Sequence, residues 1–465
     1  MFSPRYSKLR ACVERSFVWA RLCGDYFISQ DETTRRLKEA LRKNRWHVYP
    51  ATSPESGGRF YSSLRYPSAE AAQKAFARTD HALVYGRDGT PDGCALAEVL
   101  RQIDPAAAVA RVTGHGMAAI EAALLAAQPG DHIVASRYIF GTTKRNLLEL
   151  VRERGVTTTF VDGRDPDAWE EAIQSNSRVF FFEPLGNPGA ESIRVEEVAR
   201  IAHADNRDIL VVSDNSSTPF DASLTRGADV VALSTTKLLG LGVDNGGAIL
   251  ASGEALDRLR RRFPDDPAGY PILTKISRKG LTQSHRSARA MLKRAGRSFL
   301  RFSRQSQTAT ALVRELAARY PTLKIQSPAL NPNASRLSHS FLFAIDFGSK
   351  DTAFRFINAL AKHGIDIVNN FGSLRTTVIN PATTTQSSLS SEELAEQGIS
   401  PALTRISVGL ESVTLLLSVF GAALRETIPH AAAAISPKPL HADQHPKGAT
   451  PTIPLQITGN SYAHF

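Results

Sequence analysis

Between about residues 94 and 250, short apolar runs alternate with longer stretches whose apolar positions recur at helical spacing. The runs are His132–Ala135, Thr157–Val161, Arg178–Phe182, Ile209–Ser213, Val230–Leu233 and Gly247–Leu250. Runs this short, closed off by polar or glycine-containing segments, read as buried strands. Strands alternating with helices predict right-handed βαβ units and a mainly parallel sheet, an α/β fold. Downstream, a helical pattern covers about 281–318, and Phe341–Phe347 and Thr404–Val408 read as strands. Helices are predicted near 351–363 and 411–425, which makes this part a smaller α+β domain. Upstream, Asp31 to Arg45 is polar with helical spacing, and Asp31 suits a cap. Residues 46–93 pass through Pro50, Pro54, Gly57, Gly58, Pro67, Gly86, Gly89, Pro91 and Gly93. They read as an extended arm broken by one short helix around Ala69–Phe76. From about 431 the chain turns Ala-rich, then Pro- and His-rich without periodicity, which predicts a flexible tail. The predicted division is 1–93 for helix and arm, 94–290 for the α/β domain, 291–435 for the α+β domain and 436–465 for the tail.

Composition changes this picture little. The 465 residues are 42% hydrophobic and 22% charged, ordinary for a globular protein. No run is long and apolar enough to predict a membrane span. The first residues carry Arg5, Lys8, Arg10, Arg15 and Arg21 but also Glu14 and Asp25, and lack an apolar run ending in a cleavage site, so no secretory signal is expected. Cys12, Cys23 and Cys94 are too few for a disulfide framework or a metal cluster, and a reducing, cytoplasmic setting is expected. The net charge of +11 raises the question of nucleic acid. Its basic residues are dispersed, however, and the densest clusters, Arg258 to Arg262 and Lys293-Arg294, fall in helical segments as solvated faces do. A basic field also suits small anionic ligands.

Two strand ends carry chemistry. The run Asp229–Leu233 leads directly into Ser234-Thr235-Thr236-Lys237, and the run Ile209–Ser213 ends at Asp214. In parallel sheets ligands collect outside the carboxyl ends of strands. A lysine, an aspartate and hydroxyls placed there supply what pyridoxal phosphate needs: an amine for a Schiff base, a carboxylate for the ring nitrogen and donors for the phosphate. Alone, each residue would read as an exposed loop lysine or a helix cap. Thr113-Gly114-His115-Gly116-Met117 precedes the helical run Ala118–Ala127, and free N–H groups with the helix dipole favour an anion there. His115 is a candidate base, with a local hydrogen-bonding role as the alternative. Phe140 can stack on a pyridine face or simply pack in the core. Asn187, in Glu183-Pro184-Leu185-Gly186-Asn187-Pro188, can donate to a phenolic oxygen or belong to a plain turn.

These segments resemble the cysteine/methionine-metabolism family of pyridoxal phosphate enzymes, which includes cystathionine synthases and lyases, methionine γ-lyase and homoserine-ester sulfhydrylases. The resemblance runs from roughly 50 to 430 and is carried by Tyr85-Gly86-Arg87, His115 to Ala119, Glu183–Pro188, Asp214-Asn215, Ser234–Lys237 and Arg405 to Glu411. Ala135 to Gly141, Val161 to Asp165, Ile379 to Thr385 and Gln397 to Pro401 resemble the O-succinylhomoserine sulfhydrylase branch. It implies the fold-type I, aspartate aminotransferase-like architecture. It also implies Lys237 as Schiff-base lysine and proton shuttle, Asp214 on the pyridinium nitrogen, and Gly116, Met117, Ser234 and Thr236 on the phosphate. Tyr85 and Arg87 would reach that phosphate from the neighbouring subunit, in a homodimer or homotetramer. Phe140 would stack on the ring, Asn187 would contact its oxygen, and Arg405 would bind the substrate α-carboxylate. Apart from the resemblance, Arg375, in the loop before Asn380, is a candidate to meet a second carboxylate such as a succinyl group, with a solvated loop arginine as the alternative, and Thr376 beside it is a further substrate-binding candidate.

The chain departs from the family at several points. Phe140 stands where most members have tyrosine, and the sulfhydrylase branch commonly has phenylalanine. Thr90-Pro91-Asp92 replaces Asn-Pro-Thr, Ser216 to Pro219 is one residue short, and Asn380 replaces a histidine. The implied activity is γ-replacement on O-succinyl- or O-acetylhomoserine by sulfide or a thiol, with no metal, nucleic acid or membrane involved. The alternatives are γ-elimination and a specialised γ-substitution. A catalytically silent binding protein is disfavoured by the intact Lys237, Asp214 and Arg405.

Overall fold

The structure is a computed structural model that describes residues 66, 68–77, 84–204, 208–265, 271–331 and 340–428. The predicted helix at 31–45, most of the arm and the predicted tail at 436–465 lie outside the described residues. The short helix α1 (Ala69–Phe76) is present as predicted, capped by Ser68.

The first sheet starts after α2 (Pro91–Arg101), whose cap Thr90 accepts the Gly93 N–H at 3.1 Å. Along the chain follow β1 (Ala107–Thr113), α3 (Gly116–Leu124), β2 (His132–Ser136), α4 (Gly141–Arg154), β3 (Thr157–Val161), α5 (Pro166–Glu171), β4 (Ser177–Phe182) and α6 (Val195–His203). Then come β5 (Leu210–Asp214), β6 (Val230–Leu233), β7 (Gly247–Ser252), α7 (Gly253–Arg262) and α8 (Pro271–Arg278). The seven strands lie in the order β1-β7-β6-β5-β4-β2-β3. All pairings from β6 to β3 are parallel, as expected. Strand β7 runs antiparallel to both of its neighbours, so the Gly247 run is not part of a βαβ unit. It needs no crossover helix, and the segment 234–246 that returns the chain is a loop holding Lys237. Strand β1 was not anticipated, because Ala-Ala-Val-Ala-Arg-Val-Thr has small side chains and one arginine in place of an apolar run.

Strands β2, β5 and β6 are buried along their whole length, the signature of a sheet covered on both faces. Period-two alternation splits them between two cores. Phe180, Phe182, Val211 and Val231 face one, with Leu96, Leu100 and Trp169. Val179, Phe181, Val212 and Val230 face the other, with Ile120, Leu124 and Ile276.

Helix α9 (His285–Arg319) is one continuous helix of 35 residues, capped by Ser284. It crosses the predicted boundary at 290 and 291 without a break. Its Ala288 and Met291 lie in the first core, and its Leu312, Val313 and Leu316 lie in a third core. That third core belongs to a second sheet, formed by β8 (Lys324–Gln326), β9 (Leu342–Asp346), β10 (Asp366–Ile367), β11 (Thr377–Ile379) and β12 (Leu403–Ser407). Their order is β10-β11-β12-β9-β8, and α10 (Lys350–Lys362) and α12 (Val413–Thr427) cover the sheet through Phe356, Leu360, Phe420 and Leu424. The short helix α11 (Ser391–Glu396) opens with a capping box at Ser390 and Glu393. The predicted strands and helices of this part are present. Strands β8, β10 and β11 have two or three residues each, too short for periodicity to reveal.

Candidate active site

Five strand ends converge. Strand β1 leads to Gly116, β2 to Phe140, β4 to Glu183 and Asn187, β5 to Asp214 and β6 to Ser234 and Lys237. All five strands point the same way, so these residues share the carboxyl edge of the sheet. Bonds from backbone N–H groups to short side chains stitch the edge together. The Ser216 N–H donates to Asp214 Oδ1 at 2.9 Å, and the Ser234 N–H donates to Ser216 Oγ at 2.7 Å. Gly116 allows the closest approach: a Cβ on it would lie 2.6 Å from Ser234 Cβ and 2.9 Å from Ser234 Cα. No side chain fits there, so the start of α3 presses directly on the loop after β6. The first N–H groups of α3, those of Gly116 and Met117, have no acceptor within the helix. Ser234 Oγ has no hydrogen bond among the described residues. Together they could hold an anion. Thr236 Oγ1 is occupied in part, donating to Gly246 O at 3.1 Å and accepting the Gly246 N–H at 3.0 Å. His115 is exposed and forms no side-chain cap.

The second half of the site comes from the small sheet. Arg405 alternates on β12 with Ile406, which faces the third core, so Arg405 points away from that core. It is 2% exposed and has no carboxylate partner among the described residues. Its guanidinium donates to Asn187 Oδ1 at 3.0 Å and to the carbonyls of Asn369 and Asn370 at 3.2 and 3.4 Å. The bond to Oδ1 leaves Asn187 Nδ2 as the donor available to a ligand. Burial lowers the Arg405 guanidinium to about 10. A buried cation without an anion is a costly arrangement that an anionic ligand relieves.

Lys237 lies where the halves meet. Its Nζ donates to Asn370 Oδ1 at 2.9 Å and sits 4.9 Å from the centroid of the Phe371 ring, over which Arg405 Cζ also lies at 5.4 Å. Burial first, then the Arg405 charge, lowers its amine to about 8, with Asp214 opposing. Gly372, at φ +77, lets this loop close on the lysine, since a Cβ there would be 3.3 Å from Lys237 C. Asp214 is 4% exposed, and burial raises its carboxyl despite the Ser216 bonds and Lys237. Glu183, 3% exposed, is raised well above the usual carboxylate range by burial and then by Asp214.

Of the residues singled out in the sequence, the structure gathers Gly116, Asn187, Asp214, Ser234, Lys237 and Arg405. Phe140 flanks them through its N–H bond to Glu183, and Met117 accepts a weak bond at 3.9 Å from Thr143. Tyr85 and Arg87 pack on each other, with 5.7 Å from Arg87 Cζ to the ring centroid, and Thr282 holds the Arg87 carbonyl. Neither touches the Lys237 cluster within the chain. Arg375 donates to Gly364 O at 2.7 Å and pairs with Asp366 at 3.3 Å, and its side chain is 65% exposed. Thr376 is spent on Glu411, through bonds of 2.8 Å from both its N–H and its hydroxyl. These two are not brought to Lys237. Asn369, Asn370 and Phe371 were missed, since they lie in a loop without periodicity or motif. Glu183 was visible only as part of a turn.

A lysine of lowered basicity, a buried aspartate at a strand end, a helix start that could hold an anion and a partnerless buried arginine fit one group. They define a pyridoxal phosphate-dependent enzyme of fold type I. The sequence pattern of the Cys/Met metabolism PLP-dependent enzymes matches residues 57–425, and the chain belongs to that family. It is similar to the O-succinylhomoserine sulfhydrylase of Pseudomonas aeruginosa, with 32% identity over 365 residues, 76% of this chain and 86% of that one. It is also similar to an L-methionine gamma-lyase of Fusobacterium nucleatum, at 27% over 365 residues, 76% and 88% of the two chains. A Campylobacter jejuni protein described as an O-acetylhomoserine (thiol)-lyase shares the fold at a TM-score of 0.71 and 25% identity, over 78% of this chain and 94% of that one. Its crystal structure holds N'-pyridoxyl-lysine-5'-monophosphate. Pyridoxal phosphate is the cofactor of this chain too, and the chain is an enzyme of sulfur amino-acid metabolism. Among the described residues, no helix is long and apolar enough to cross a membrane.

Proposed function

We propose that the enzyme catalyses γ-replacement on an acylated homoserine, O-succinyl- or O-acetylhomoserine, with sulfide or a small thiol as nucleophile, to give homocysteine or a related amino acid. The observation that carries this reading is the shared placement of Lys237 and Arg405 over Phe371, an amine of lowered basicity beside a buried guanidinium without an anion. That pair can take an amino acid by its carboxylate and move protons at its α and β carbons. The similarity to sulfhydrylases supports the choice of ester and nucleophile.

Bound pyridoxal phosphate supplies an electron sink for the carbanions that proton removal creates. Asp214 would hold its ring nitrogen, Phe140 its face and Asn187 Nδ2 its phenolic oxygen. Gly116, Met117, Ser234 and Thr236 would hold its phosphate, joined by Tyr85 and Arg87 of the neighbouring subunit in a homodimer or homotetramer. Arg405 fixes the substrate carboxylate in a planar fork and so fixes the direction of the α C–H bond. The Lys237 amine, neutral above about pH 8, takes the α proton, would pass it to the conjugated system that the bound cofactor supplies, and is then free to take a β proton. Phe140 has no hydroxyl to share that work. With both protons removed, the γ C–O bond breaks, the carboxylate leaves, a C–S bond forms at the γ carbon, and Lys237 returns the protons. Arg375 would meet a succinyl carboxylate only after leaving Gly364 and Asp366. A cytoplasmic setting fits this chemistry.

Incubation with O-succinyl-, O-acetyl- and O-phosphohomoserine, with and without sulfide, tests the reading. Homocysteine formed from an acyl ester, with sulfide suppressing 2-oxobutanoate and ammonia, is the expected result. If sulfide never suppresses them, the enzyme is a γ-lyase, the reading that its similarity to the Fusobacterium protein also supports.

A further inference from the structure

Glu183 is a buried carboxyl to which the reaction above gives no task. Strands β4 and β5 pair Phe181 with Val212 and Phe182 with Ser213, so Glu183 and Asp214 form the next pair in register. By alternation both leave the sheet on the side of Phe181 and Val212. Glu183 Oε1 accepts the Phe140 N–H at 2.7 Å, and the backbone of Asn187 bonds the same carboxyl. One group thus ties the end of β2 to the loop after β4. Phe140 is the N-cap of α4 and its side chain makes no capping bond, so the Glu183 carboxyl is the polar side chain that anchors this helix start.

We propose that Glu183 is a positioning residue for the cofactor: its carboxyl holds the Phe140 ring and the Asn187 amide at fixed places relative to Asp214. The proposal rests on the reading of Phe140 and Asn187 as cofactor contacts. Reach is what the role demands, because a carboxyl drawn back by one methylene leaves the part-buried Phe140 N–H without its acceptor. Charge is not demanded. Asp214 faces Glu183 from β5 and Glu191 acts on it from the loop that follows, both disfavouring a further negative charge. Burial and these neighbours raise the Glu183 carboxyl well above the usual carboxylate range.

The test compares Glu183→Asp, which keeps the acid and shortens its reach, with Glu183→Gln, which keeps the reach and loses the acid. Pyridoxal phosphate is titrated into each full-length apoprotein, and the circular dichroism of the bound cofactor is recorded along with Tm. Glu183→Asp is expected to lose about tenfold in cofactor affinity and to weaken the visible dichroism, whereas Glu183→Gln stays within about threefold of wild type. Wild-type affinity and dichroism in Glu183→Asp, with only Tm lowered, would mean a structural role and overturn the proposal. Equal losses in both variants would overturn it as well, since they would make charge the requirement. Phe140→Ala and Asn187→Ala serve as controls. If both bind the cofactor as wild type does, the reading of those two residues fails and the proposal fails with it.

Discussion

The two halves of the site are built by different means. The carboxyl edge of the large sheet places Gly116, Asp214 and Ser234 through backbone N–H groups bound by the short Asp214 and Ser216 side chains and through a contact that admits only glycine. The small-sheet half, Arg405 with the loop Asn369–Phe371, is held mainly by the groups it presents. Arg405 lies on the loop's carbonyls, Lys237 on its Asn370 side chain, and both cations on one ring. In the first half strand register and backbone N–H groups do most of the positioning. In the second half the functional groups are also the struts, so a change in one shifts the others.

Removing the main strut should have the largest effect. Arg405→Ala is expected to raise KM for the amino-acid substrate roughly 100-fold, because a buried, fork-shaped carboxylate contact is lost, and Arg405→Lys should recover only part of it. If cofactor affinity falls as much as KM rises, the two halves are less separate than argued. A subtler change acts on the lysine. Its amine is lowered to about 8, so its neutral fraction, and with it the rate of cofactor capture by the apoprotein, should rise with pH and level off above about pH 8. Asn370→Asp puts a carboxylate against Nζ, which favours the charged amine and moves that midpoint upward, toward the ordinary lysine value. Asn370→Ala removes an acceptor of the charged form and moves it downward. A midpoint that stays put in both would show that Asn370 does not hold the amine. The smallest effect belongs to Arg375→Ala. Its ion pair with Asp366 is solvent-exposed, so stability should change by less than about 1 kcal/mol. Equal rates for succinyl and acetyl esters, relative to wild type, would end its proposed part in recognising the leaving group.

The same contrast explains what could be read from the sequence. Apolar runs ending abruptly at Asp214 and Ser234–Lys237 announce strand ends, and strand ends announce a ligand edge. Strand β1 was hidden because Arg111 and alanines interrupt its apolar signal. The antiparallel course of β7 was hidden because an apolar run carries no direction. Asn370 and Phe371 had no periodicity to mark them, and their importance comes from a fold that brings residue 370 to residue 237. Arg375 and Thr376 show the converse. They lie against Gly409, four residues beyond Arg405, and Asp366 and Glu411 take up their polar groups.

The central claim is that Lys237 is the amine that receives pyridoxal phosphate, at a site whose cofactor half is set by the large sheet. Borohydride reduction of the wild-type protein with bound cofactor, followed by peptide mass mapping, tests it most directly. The account predicts one pyridoxyl group per chain, on Lys237, with a visible absorbance that Lys237→Ala lacks. A colourless wild-type protein that stays colourless after cofactor is added, or a label on another lysine, would contradict it.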